Sequence, residues 1–275
     1  MLLLNSMIID HIEISRGDFK MSVIELNISS ESFSTDRKDS WKQSWLLFGF
    51  TFVAFAVYSI LVVAFDFKHG VRGVVTGADY QSPFYGPDLT GYLSNWPVSL
   101  PFALLTLWAP FGFRGTCYYM RRVYYRSIFS SPPGCAIEGF EGRRGKYSGE
   151  TKFPFFLNNY HKYFLYLAIV LGLFHWYEVI LGVFHDGIYI GVGTIFAFLD
   201  AFFLTLYISS CHAFRNIFGG SSKRPGKFKY NFWSFISGLN ERHGIFFWLS
   251  LFSIWIYDIY IRLVAWGFLT EVRFV

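Results

Sequence analysis

"LLFGFTFVAFAVYSILVVAF", residues 46–65, runs twenty residues without a charge. As a helix it reaches about 30 Å at 1.5 Å per residue, the thickness of a bilayer's hydrocarbon core. Four further stretches have similar character: 96–113 ("WPVSLPFALLTLWAPFGF"), 163–184, 188–210 and 244–266. The second is the least regular, because Pro97, Pro101 and Pro110 interrupt it and proline inside a helix removes a hydrogen bond. The expected fold is therefore all-α, an integral membrane bundle of five transmembrane helices over residues 46–275, preceded by a polar cytoplasmic arm, 1–45.

Composition agrees. Of the 275 residues 53% are hydrophobic, 22% aromatic and only 16% charged, with mean hydropathy +0.35. Soluble domains carry nearer a quarter charged residues, so the surplus apolar surface must face lipid. The net charge of +5 points away from nucleic acid, because the basic residues cluster in loops beside apolar runs. Three cysteines, Cys117, Cys135 and Cys211, are too few for a secreted disulfide framework. Asp10 and Glu13 break the N-terminal apolar run early and no cleavage site follows, which argues against a signal peptide. Met21 offers a second start, leaving residues 1–20 a candidate extension.

The loops set an orientation. Arg114, Arg121, Arg122, Arg126, Arg143, Arg144, Lys146 and Lys152 lie between spans two and three. Arg215, Lys223, Arg224, Lys227, Lys229 and Arg242 lie between spans four and five. The other connections hold only Lys68 and Arg72. The positive-inside bias places the basic loops and the N-terminus in the cytoplasm and the C-terminus outside. The loop 77–96 reads as an ordered external connection, and "SSPPGC" (130–135) as a turn ending a Tyr- and Arg-rich helix.

All three cysteines and three of the seven histidines then fall at one membrane face: Cys117, Cys135, Cys211, His161, His212 and His243. Thiolate with imidazole suits zinc, copper or iron–sulfur, and the short ligand spacing of a structural zinc is absent. Two Cys with two His is the inventory of a Rieske-type [2Fe–2S] cluster, whose raised potential suits electron delivery to quinone. Haem b is the competitor, held at the cytoplasmic edge by His161 with His212 or His243; His175, deep in its span, has no partner at its own depth. Four ionisable residues interrupt the spans, Glu178, Asp200, Asp258 and Arg262. Their spacing predicts an Asp258–Arg262 pair and a His175–Glu178 pair. A transporter or scaffold with incidental Cys and His is the remaining alternative. No soluble catalytic motif is present.

The stretches 113–138 ("FRGTCYYMRRVYYRSIFSSPPGCAIE"), 147–164 ("YSGETKFPFFLNNYHKYF"), 209–215 ("SSCHAFR") and 239–244 ("LNERHG") together resemble the membrane-anchor subunit of actinobacterial-type succinate dehydrogenase. The resemblance covers roughly residues 41–275. It implies an anchor and electron-transfer subunit of respiratory complex II in the bacterial inner membrane. The succinate dehydrogenase flavoprotein and iron–sulfur subunits would dock on its cytoplasmic face, and electrons would pass to quinone with no succinate chemistry in this chain. It also implies a membrane-embedded Rieske-type [2Fe–2S] cluster and no haem. The expected ligands are Cys117, Cys135, His161 and His212, with Cys211 and His243 as alternates. The run after "SCH" reads "AFRN" here, poorer in His and Cys than the family's. Arg114, Tyr118, Tyr119, Arg121 and Arg122 are the expected lining of a quinone pocket, since a quinone oxygen needs donors and its ring aromatic walls. The basic segments 121–126 and 143–152 are the expected docking surface.

Overall fold

A computed structural model of the chain describes residues 41–65, 72–75, 78–85, 103, 106–128, 151, 153, 155–184, 187–219 and 226–274. The arm before residue 41, most of the loop 77–96 and the segment 129–150 with Cys135 lie outside the described residues. Among the described residues, four helices are long and apolar enough to cross a membrane. They are α1 (Trp41–Phe65), α4 (His161–Phe184, entered through a 3-10 helix, Phe155–Tyr160), α5 (Val192–Ser209) and α8 (His243–Ala265). Shorter helices complete the set: α2 (Trp108–Gly115), α3 (Tyr118–Ser127), α6 (His212–Gly219) and α7 (Lys227–Glu241). The described bundle is helical, as expected, and carries a short two-stranded antiparallel hairpin, β1 (Arg72–Val75) and β2 (Ala78–Gln81).

The expected span 96–113 is described only from its later half. There α2 has eight residues, about 12 Å of rise. Leu107 N–H to Ala103 O (3.1 Å) and Phe111 N–H to Leu107 O (3.1 Å) carry helical bonding further toward the N-terminus. Pro110 takes its place near the start of α2.

Lipid acts as the solvent for the outer helices. Only 22% of the spanning window of α1 and of α4 is buried, against 44% for α5 and 39% for α8, so the latter two form the centre. Exposed positions on the outer helices remain apolar: Leu47, Phe50, Val57, Leu173 and Ile180. α5 packs between α4 and α8, α1 lies against α3, α2 against α4, and α6 and α7 pair at one end. Where α2 meets α4 the fit is close, because a Cβ on Gly112 would sit 2.1 Å from the Phe164 ring.

Polar groups inside the bundle find internal partners, as a medium without water demands. Arg262 Nε donates to Asp258 Oδ2 at 2.7 Å, as its i, i+4 spacing predicts. Tyr58 from α1 donates to the same carboxylate at 2.5 Å, and Ser82, just after the hairpin, donates to its other oxygen. Asp258 thereby ties α1 and the segment after the hairpin to α8. His175 pairs with Asp200 of α5 at 2.8 Å rather than with Glu178 on its own helix. Helix packing brings a stronger partner within reach than the i, i+3 neighbour.

At the end opposite the Cys and His residues, the C-terminal segment closes the bundle. Gly193 N–H at the start of α5 donates to Glu271 Oε1 at 2.9 Å, Tyr260 donates to Glu271 Oε2, and Gly191 forms a β-bridge with Arg273. A carboxylate there also opposes the positive end of the α5 dipole.

Replacing Asp258 by Ala leaves Arg262 buried without its counter-ion. The expected loss is about 3–5 kcal/mol, read as a lowered thermal unfolding midpoint of the detergent-solubilised protein. Changing both residues to apolar ones, Asp258→Leu with Arg262→Met, recovers most of it.

Candidate functional site at the thiol–imidazole end

The site is built where two helices break. α2 ends at Thr116 and α3 starts after Cys117, which leaves the helical path with ψ 135°. α5 ends at Ser210, and Cys211 links it to α6. Each break carries a hydroxyl followed by a thiol. Both thiols are 1% exposed. Two imidazoles enter between the breaks, His161 opening α4 and His243 opening α8.

The four side chains are cross-wired. Thr116 Oγ1 lies 2.9 Å from His161 Nδ1, while its neighbour Cys117 reaches the other ring, Sγ to His243 Nε2 at 3.1 Å. Ser210 Oγ lies 2.8 Å from His243 Nδ1, while Cys211 Sγ is 3.1 Å from His161 Nε2. The hydroxyls decide the tautomers. Thr116 donates its only proton to Gly112 O at 2.6 Å, and Ser210 donates its own to Tyr207 O at 3.0 Å. Each oxygen must therefore accept from Nδ1–H, leaving Nε2 as the lone-pair nitrogen that accepts the thiol proton.

Aromatic rings hold both imidazoles in place. Phe113 stacks on His161 with centroids 5.0 Å apart and planes 4° apart, and Tyr207 stacks on His243 at 5.1 Å and 21°. Phe113 and Tyr207 touch each other at 5.1 Å. Arg114 is buried beneath them, its guanidinium 4.8 Å from the Tyr207 ring centre, donating to Ser250 Oγ at 3.0 Å and Phe247 O at 3.3 Å. On the far side of His243, a Cβ on Gly244 would sit 2.5 Å from the Tyr119 ring.

These groups open onto a polar cavity of about 380 Å³. Its lining includes Tyr118, Arg121, Asn158, Lys162, His212 and Asn216, with no carboxylate among the described residues. Burial pushes the Cys117 thiol up, and it pushes Cys211 up to about 12.

The anticipated convergence of Cys117, Cys211, His161, His212 and His243 at one end is present, all five lining this cavity. The cofactor expectation is corrected. Among the described residues no group of three or more His, Cys, Asp and Glu side chains is arranged to hold a metal ion. Of the quartet expected for a Rieske-type [2Fe–2S] cluster, Cys117 and His161 line the cavity from its buried side. Cys135 lies outside the described residues, and His212 is exposed with its Nε2 3.2 Å from Asn216 Nδ2. Cys117 and His161 face not each other but the two expected alternates, His243 and Cys211. Haem b goes with the same correction, since Nε2 of His161 and of His243 is engaged by a thiol.

Of the expected quinone lining, Tyr118 and Arg121 face the cavity. Tyr119 instead accepts a hydrogen bond from Trp248 Nε1 at 2.8 Å, Arg122 is exposed, and Arg114 is in the core.

A family model described as the actinobacterial succinate dehydrogenase subunit SdhC matches residues 43–267. The chain belongs to that family. Among solved structures, a chain of the Mycobacterium smegmatis Sdh1 complex in the apo form is 32% identical, with a TM-score of 0.74. The likeness covers 89% of this chain and 95% of that one. No curated protein matches. The chain is thus a membrane subunit of a succinate dehydrogenase complex, with the other subunits of that complex as its partners.

Sequence reasoning missed the hydroxyls and the stacking rings of this SdhC-family chain. A signal was present: "FRGTCYYMR" (113–121) and "YISSCHAFR" (207–215) share the pattern aromatic-x-x-[Ser/Thr]-Cys-x-x-x-Arg. In both copies the aromatic residue stacks on the imidazole that its own hydroxyl fixes, and the Cys reaches across to the other imidazole.

Burial keeps both thiols protonated, and only thiolate is alkylated. N-ethylmaleimide should therefore label the folded chain far more slowly than the denatured one. For Cys211 the rate should rise about tenfold per pH unit through the alkaline range, without a plateau below its raised pKa. Mass spectrometry of the labelled peptides gives the readout.

Proposed function

We propose that this chain anchors the succinate dehydrogenase catalytic subunits to the bacterial inner membrane and passes electrons from a docked iron–sulfur subunit to quinone. The observation that carries this reading is the polar cavity at the thiol–imidazole end, in a chain of the SdhC family. It is large enough for a quinone ring, since cavities of ~150 Å³ already bind benzene. It offers donors from Tyr118, Arg121, Asn158 and Lys162 for the quinone oxygens.

The topology consistent with this function has five spans, the second continuing α2 back toward residue 96, with the N-terminus cytoplasmic and the C-terminus outside. The charge pattern supports it, because Arg121, Arg122, Arg126 and Lys162 all sit at the cavity end. That end faces the flavoprotein and iron–sulfur subunits on the cytoplasmic side. Succinate is oxidised there, outside this chain, and two electrons with two protons convert quinone to quinol in the cavity.

Arg121→Ala in the assembled complex should lower succinate:quinone reduction about tenfold or more, the cost of a lost charge-assisted hydrogen bond. Succinate oxidation with an artificial soluble acceptor should be unchanged. Equal quinone reduction by variant and wild type would remove Arg121 from the pocket and point to a different quinone site.

A further inference from the structure

α6 and α7 form a hairpin between two spanning helices. Ser210 and Cys211 separate α5 from α6, and Arg242 alone separates α7 from α8. Both ends of the hairpin are thereby held at the membrane edge. α6 lines the polar cavity with His212, Ala213, Asn216 and Ile217, whereas among the described residues α7 contributes nothing to it. α7 therefore sits beyond α6, at the rim of the bundle.

Three faces run along α7. Its packing face carries Trp233, Ile236, Ser237 and Asn240, and Ile236 is only 1% exposed. Arg215 of α6 donates from Nε to Ser237 Oγ at 2.8 Å, with its guanidinium 4.7 Å from the Trp233 ring centre. Asn240 donates to Ser210 O at 2.7 Å. A second face carries Phe228, Phe232, Phe235 and Leu239, which fall within about 60° of one another at 3.6 residues per turn. Phe232 meets Phe218 of α6 at 4.9 Å, yet it stays 37% exposed, Phe235 63% and Phe228 85%. The third face is polar, with Lys227, Asn231 and Ser234 all exposed. A helix packed on one side and wet on the rest needs a single apolar sector. α7 has two.

Charge selects what covers the second. Residues 212–241 hold Arg215, Lys223, Arg224, Lys227 and Lys229 against Glu241 alone. No acidic residue stands in the first turn of α7, so Lys227 and Lys229 add positive charge where the helix dipole is already positive. The two lysines project about 100° to either side of Phe228. Their stems can lie along the aromatic stripe while both ammonium groups reach the same anionic surface. An aromatic stripe edged by lysine is the pattern of a helix lying in the plane of an anionic membrane interface. A protein-docking patch is built differently, with lysine depleted. The stripe also leads into lipid-facing surface, since Ile245 and Leu249 at the start of α8 are 58% and 38% exposed.

We propose that α7 lies in the headgroup layer and binds anionic phospholipid, with Phe228, Phe232 and Phe235 among the upper acyl chains and Lys227 and Lys229 on the phosphates. Its 15 residues make a strut about 22 Å long across the membrane surface. The strut is tied to α6 through Ser237 and Trp233, and α6 carries Asn216 and Ile217 of the polar cavity's wall. The lipid surface thus braces that wall from outside.

The test places photoreactive benzoylphenylalanine at Phe228 or at Phe235 in the intact succinate dehydrogenase complex, held in nanodiscs of equal parts phosphatidylcholine and phosphatidylglycerol. Irradiation should give phospholipid adducts at both positions, read by mass spectrometry. Phosphatidylglycerol adducts should exceed phosphatidylcholine adducts about fivefold or more. Adding Lys227→Gln with Lys229→Gln should abolish that excess while adducts persist. Cross-links to another subunit, no adduct at either position, or equal adduct yields from the two lipids with both lysines present overturn the proposal. A map of the wild-type complex in the same nanodiscs decides independently of any substitution. α7 level with the headgroup density supports the proposal, and α7 standing clear of it overturns it.

Discussion

A hydroxyl group has one proton to give, and the thiol–imidazole end depends on where two such protons go. Thr116 and Ser210 spend theirs on backbone carbonyls one turn back, at the two helix ends. Each oxygen is left as an acceptor that captures one imidazole Nδ1–H. The opposite nitrogens then present lone pairs at fixed positions, and the buried thiols meet them. Without that constraint either ring could flip or change tautomer, and the walls of the polar cavity would lose their definition.

The same requirement shapes the rest of the bundle. Water is absent from hydrocarbon, so buried charges recruit partners from within the bundle. Asp258 collects Tyr58, Ser82 and Arg262, and Asp200 collects His175 and Ser253. These contacts fix how α1, α4, α5 and α8 face one another, which van der Waals packing between apolar helices does only weakly. Arg114 stands apart because its Nη2 remains unmatched beside a cavity.

Much of the architecture is legible in the sequence because a membrane imposes a length on apolar runs. The four uninterrupted runs become α1, α4, α5 and α8. The proline-rich run 96–113 is harder to read, since composition marks it as apolar without telling where helical bonding starts. The Asp258–Arg262 pair follows from spacing along one helix, whereas His175–Asp200 joins two helices and is invisible to such counting. The gathering of Cys and His at one end follows from counting depth along the spans. Which atom meets which does not, because depth carries no information about rotation around the bundle axis. The expected cluster rested on residue inventory, shared depth and family resemblance, and none of these distinguishes ligands aimed at a common centre from residues paired off with each other. The repeat around Thr116–Cys117 and Ser210–Cys211 was readable, but a nine-residue pattern with four fixed positions is easily passed over between long apolar runs.

The crossing of the two halves has a consequence for biosynthesis. Cys117 is separated from His243 by 126 positions, and Cys211 from His161 by 50. At roughly 5–20 residues per second, the first thiol is made some 6–25 s before the ring that will cover it. Neither half can complete itself, and the last span to be translated carries the closing piece. A ribosome that stalls before α8 leaves the Cys117 sulfhydryl without the ring that meets it, a chemical mark by which an unfinished chain differs from a finished one.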